Sequence, residues 1–139
     1  MASEVHYLEA PRPPGEYGRT AEDIVRLVAE DLRVPPPRVR WLERVSAREA
    51  SDAQARGRFT TTRAHPIAGL YSPEDEGAVF LVAGAAVFKT IAHETRHYAR
   101  RRRTNNTTFW NTERVEHELD AAAYTRHLQR RLAARRGAA

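Results

Sequence analysis

The longest apolar stretch, Ala78 to Phe88, interrupted only at Gly84, is the segment that any fold of this chain has to bury. It falls well short of the roughly 20 residues that a membrane-spanning helix needs, so the chain reads as soluble. Val79, Phe80, Leu81 and Val82 have strand character, and Ala78 to Ala83 is predicted as a strand. The pattern then changes period. Phe88, Ile91, Ala92, Thr95, Tyr98 and Ala99 fall on one side of a helix from about Ala85 to Arg101, with histidines on its other side. Ile67 to Tyr71 reads as a second strand and Ser72 to Gly77 as a turn, which together predict a hairpin immediately before that helix.

The remainder supplies the other elements. Pro11, Pro13, Pro14 and Gly15 disfavour helix and mark residues 1–18 as an extended arm. Thr20 is a capping residue followed by acids, and Ile24, Leu27, Val28 and Leu32 recur at helical spacing, predicting a helix from Thr20 to Arg33. Pro35, Pro36 and Pro37 stop it, and Val39, Trp41 and Glu43 to Val45 alternate as a strand does. Ser46 to Arg58 fits a short polar helix or a loop equally well. Thr104 to Phe109 is a polar connection, and a long final helix from Asn111 to Arg135 carries Val115, Leu119, Ala123, Leu128 and Leu132. The expected fold is α+β: a small antiparallel sheet with an N-terminal helix, the histidine-bearing helix and a long C-terminal helix on one face. At 139 residues this is one domain, spanning residues 19–136 after the arm.

Composition narrows the chemistry. There is no cysteine, so a bound metal must be held by His, Asp or Glu. Residues 1–10 lack the basic start and apolar run of a secretory signal, which points to a cytoplasmic protein with no membrane partner. The net charge of +5 is carried almost entirely by arginine. Arg100 to Arg103 fit the last turn of a helix, where cations complement the dipole, and Arg126, Arg130, Arg131, Arg135 and Arg136 fall on several faces. A nucleic-acid partner engaging these clusters is the secondary reading, and a protein or peptide is the expected partner. His6 and His65 have no partners at ligand spacing.

His93-Glu94-Thr95-Arg96-His97 is an HExxH motif. Positions i and i+4 share a helix face, so both imidazoles can converge on one tetrahedral Zn2+. Glu94, turned about 100° from His93 on a helix of 3.6 residues per turn, is placed to act on a water as general base. A third protein ligand is required. Downstream, Glu113, Glu116, His117 and Glu118 carry donor atoms. Helical projection groups Glu116 with Leu119, Asp120, Ala123 and Tyr124 and puts Glu118 nearly opposite, with Ala122 and Thr125, which makes Glu116 the first choice and Glu113 the alternative. Asp120, four residues after Glu116, is placed to orient a metal-bound imidazole.

HExxH on one helix and Glu116-x-x-x-Asp120 on the next, with 18 residues between His97 and Glu116, resembles the gluzincin metallopeptidases. The resemblance covers about Gly69 to Tyr124. The hairpin before the active helix and the run Glu116-x-Glu118-x-Asp120-Ala121-x-x-Tyr124 look most like minimal gluzincin domains, including the ImmA/IrrE group and phage-borne metallopeptidases. Where the family usually has a small or apolar residue before the second histidine, this chain has Arg96. The resemblance implies Ala78 to Ala83 as the edge strand of a cleft that binds a peptide as an added strand. It also implies zinc held by His93, His97 and Glu116, with Glu94 as general base. An oxyanion donor is usual in such enzymes, and Tyr71, Tyr124, His127 and His117 are the candidates, with Tyr124 and His127 projecting near the Glu116 face.

The expected function is that of a zinc-dependent metalloendopeptidase. The rival is a basic regulatory or nucleic-acid-associated binding protein on the same scaffold, with zinc structural or vestigial; its binding would be steeply salt-dependent.

Overall fold

Val79 and Leu81 point to one side of their strand, Ala78, Phe80 and Val82 to the other, and all five residues are buried. A strand with no polar face has to lie inside a sheet covered on both sides, and the fold is arranged around that requirement. The computed structural model describes residues 4–52, 59–61, 66–72, 77–104 and 114–138. Its elements are β1 (Val5–Ala10), α1 (Glu16–Asp31), β2 (Val39–Val45), α2 (Ala47–Asp52), β3 (Phe59–Thr61), β4 (Gly69–Ser72), β5 (Ala78–Val82), α3 (Phe88–Thr104) and, last, α4 (Arg114–Ala138). The chain is α+β, as its patterning predicts. Among the described residues no helix is long and apolar enough to cross a membrane.

The strands form one sheet in the order β3-β1-β2-β5-β4. The predicted β4–β5 hairpin is present, pairing antiparallel from Gly69↔Leu81 to Ser72↔Ala78. The sheet is mixed where an antiparallel one was expected, because β2 and β5 run parallel from Val39↔Val79 to Leu42↔Val82. The connection between them passes through α2, β3 and β4, long enough to bring the chain back in the same direction.

The arm expected over residues 1–18 is also corrected. Val5–Ala10 forms β1, an interior strand paired with both β2 and β3. The prolines shape only the bend that follows. Gly15, at φ 77°, turns that bend into α1, which begins four residues before the expected Thr20. Gly18 lies so close to the bend that a Cβ there would sit 2.6 Å from the Pro13 carbonyl oxygen. At the other end, Arg33 takes φ 57°, the Arg33 N–H donates to the Glu30 carbonyl at 3.1 Å and the Val34 N–H to the Ala29 carbonyl at 3.0 Å, a Schellman closure.

Both sheet faces are packed. On one, Trp41, Tyr71, Val79 and Leu81 meet Ala21 and Val25 of α1 and Ile91 and Tyr98 of α3. On the other, Tyr7, Leu42, Ala78, Phe80 and Val82 form a second cluster with Phe59, Ile67 and Leu70. The Tyr7 hydroxyl accepts the Ile67 N–H at 2.7 Å. Helix α4 joins the helices: Leu128 packs with Val28 of α1 and Ala92 of α3. The Tyr98 hydroxyl donates to the Pro35 carbonyl at 2.7 Å, tying α3 to the segment after α1.

Candidate metal centre

Helix α3 has an apolar side that packs on the sheet and α1, so its histidines are carried toward α4. His93 and His97 lie one turn apart, with ring centroids 4.7 Å apart and planes at 85°. Glu118 of α4 reaches both: its Oε2 lies 3.1 Å from His93 Nε2 and its Oε1 2.8 Å from His97 Nε2. One donor atom from each of the three lies within 4.8 Å of the others. His97 is 2% exposed and the Glu118 side chain 48%, so the group is dry on the side of the helix seam and open on the other.

These surroundings set the charge states. Burial pushes His97 down to about 4, and the neighbouring His93 works in the same direction against the pull of Glu118. Neutral imidazole is the form that binds a metal. Burial works to raise Glu118, but the histidines, by charge and hydrogen bond, hold it below the ordinary carboxylate range. With His97 held neutral and Glu118 held ionised, the group offers two imidazole rings and one carboxylate, a donor set of the catalytic-zinc type. Tetrahedral zinc with bonds of 2.0–2.1 Å separates its ligands by about 3.3 Å, and the histidine–carboxylate separations of 3.1 and 2.8 Å approach that with small shifts. The three side chains are close enough together to hold a metal ion.

Among the described residues, the carboxylate that joins the two histidines is Glu118 and not the expected Glu116. Glu116 is exposed and outside the donor group. The helical projection failed because Val115 and Leu119, read as core positions, are 73% and 66% exposed. The inward stripe of α4 is His117, Ala121, Thr125 and Leu128, and Glu118 borders it on the histidine side. The signal for Glu118 was present in the sequence, because residues 117, 121, 125 and 128 also keep helical spacing; two exposed aliphatic residues outweighed it. Glu113 lies outside the described residues, as do His65, residues 73–76 of the predicted turn, and 105–109 of the predicted connection.

Asp120, expected to orient an imidazole, is engaged by arginines. It accepts two hydrogen bonds from Arg96, at 2.7 and 3.1 Å, with Arg100 at 3.5 Å. Burial works to raise its pKa, and these arginines carry it below the usual range instead. Tyr124 and His127 are not brought to the donor group. The Tyr124 hydroxyl donates to Asp31 of α1 at 2.7 Å. His127 is exposed, nine residues beyond Glu118, about 13 Å along the helix at 1.5 Å per residue. Of the other oxyanion candidates, Tyr71 is a core residue of β4 with its ring 6.5 Å from that of His97, and His117 is buried. Burial pushes the Tyr71 phenol up to about 12. Glu94 is half-buried on α3.

The expected cleft strand shifts as well. β5 is interior, and β4 is the outer strand beside α3. No family model, characterised protein or solved structure matches this chain.

Proposed function

We propose that the chain is a zinc-dependent metallopeptidase whose metal is held by His93, His97 and Glu118. The observation that carries this reading is the convergence of both HExxH histidines on one carboxylate of the next helix. Zinc bound there would supply Lewis acidity, lowering the pKa of a water and polarising a carbonyl. The chain's own groups do the rest. Glu94 accepts the proton of the attacking water and passes it to the leaving amine. His97, held neutral by burial, keeps its nitrogen lone pair available at neutral pH. The outer edge of β4 takes an extended peptide as an added strand, alongside the helix that carries the motif.

The test is metal content and peptide cleavage in parallel. One zinc per chain is expected in the wild type, lost in His93→Ala, His97→Ala and Glu118→Ala and retained in Glu116→Ala. Glu94→Gln should keep the metal and lose cleavage of a peptide library. Absence of bound metal after zinc is supplied would sink the reading. Metal bound without any cleavage, together with salt-dependent nucleic-acid binding, would favour the regulatory binding protein instead.

A further inference from the structure

Glu116, Glu118 and Asp120 stand at alternate positions of α4, so each successive carboxylate is turned about 200° around a helix of 3.6 residues per turn. Which of them meets the histidines depends on how α4 is rotated about its own axis. In the first turns of α4, Val115 and Leu119 face solvent, and the inward positions are His117 and Ala121. Tyr124 and Leu128 pack with Val28 and Ala92 further along. The first two turns therefore bury no large aliphatic side chain, and a polar contact there can fix the rotation.

We propose that Arg96, through Asp120, is the positioning residue that sets the rotation of α4 and so presents Glu118 to the metal. The inference rests on the metal reading above. The guanidinium grips both carboxylate oxygens of Asp120, with Nε at 2.7 Å and Nη2 at 3.1 Å. A two-pronged bond of this kind fixes direction as well as distance. Arg96 adjoins His97 on α3, and Asp120 lies two residues past Glu118 on α4, so the clamp and the ligand pair form two attachments side by side across one seam. Two attachments prevent rotation where one would permit it. The clamp is itself braced: the Arg96 guanidinium lies 5.2 Å from the centre of the Tyr124 ring, and Tyr124 is tied to Asp31. Arg96 also occupies Asp120, with help from Arg100, and withholds from the metal a carboxylate only two residues from the intended ligand.

The experiment titrates cobalt(II) into metal-free wild type, Arg96→Leu, Asp120→Asn and the double variant, following affinity and the visible d–d spectrum, which reports coordination geometry. Folding of each is checked by circular dichroism. Removing a group that orients a ligand weakens metal binding by about 10–100-fold. Each single variant is expected to lose affinity in that range with an altered spectrum, and the double variant to be no weaker than the weaker single, because the pair acts as one unit. Folded single variants with wild-type affinity and spectrum would overturn the proposal, as would losses that multiply in the double variant. Should the leucine variant fail to fold, Arg96→Lys keeps the charge without the fork: weakened binding supports the clamp, and wild-type binding overturns it. Failure of the wild type to bind cobalt would overturn the metal reading and the clamp together, an outcome distinct from tight binding that the variants leave unchanged.

Discussion

His97 gives the most direct physical test of the site, because it needs neither a metal nor a substrate. Its pKa falls from an ordinary 6.5 to about 4 on folding, chiefly because burial disfavours the charged ring. The unfolded chain therefore binds this proton more tightly than the folded one. The stability involved is fully present above pH 6.5 and is lost as pH falls toward 4. Between pH 7 and pH 5 the loss comes to about 2 kcal/mol. Glu118, held below the ordinary carboxylate range, stays ionised across that window and contributes little to it. The assay is urea unfolding of chelator-treated protein at both pH values, for the wild type and for His97→Gln, whose amide does not titrate. The wild type should lose about 2 kcal/mol more than the variant on acidification. Equal losses would show that His97 is not kept neutral by burial, and the account of a dry, metal-ready imidazole would fail with it.

The inward face of α4 can be checked by comparing two leucines in urea: Leu128→Ala should cost about 2–5 kcal/mol, and Leu119→Ala, largely exposed, less than about 0.5. Gly77 combines φ 75° with a site where a Cβ would sit 3.1 Å from Tyr98 Cδ2, so Gly77→Ala should lower stability by about 1–3 kcal/mol, read as a drop in thermal midpoint. Tyr17→Phe removes a 2.7 Å hydrogen bond to the Ala86 carbonyl and should cost about 1 kcal/mol in denaturant unfolding.

The hairpin, β2, α1, α3 and α4 are legible in the sequence because each has a periodic pattern ended by proline, glycine or a polar run. The first strand is not legible, because Pro11, Pro13 and Pro14 make the whole start of the chain look loose, although Val5, Tyr7 and Glu9 alternate with His6, Leu8 and Ala10. Parallel pairing of β2 with β5 leaves no local signal, since it is decided by the route of the chain between them. The histidines of the site follow from spacing alone. Their carboxylate does not, because choosing among Glu116, Glu118 and Asp120 requires knowing which side of α4 is covered. That in turn depends on partners far away in the chain: Val28, Ala92 and Arg96.

The placement of β1 has a consequence for how this protein can be handled and how it folds. The earliest strand is inserted between two later ones, with His6 opposite Val45 and Val5 opposite Thr61. β2, β4 and β5 can assemble without it, but among the described strands β3 joins the sheet only through it. Until β1 pairs, β2 is left unpaired along one side. Cutting away the first ten residues, a natural choice for an apparent tail, would make that state permanent: a bare strand edge beside Leu42 and Phe80, uncovered by the loss of Tyr7. Such an edge pairs with another copy of itself. The shortened chain should come out of solution as aggregate, whereas a tag placed before residue 4 leaves β1 paired in the sheet.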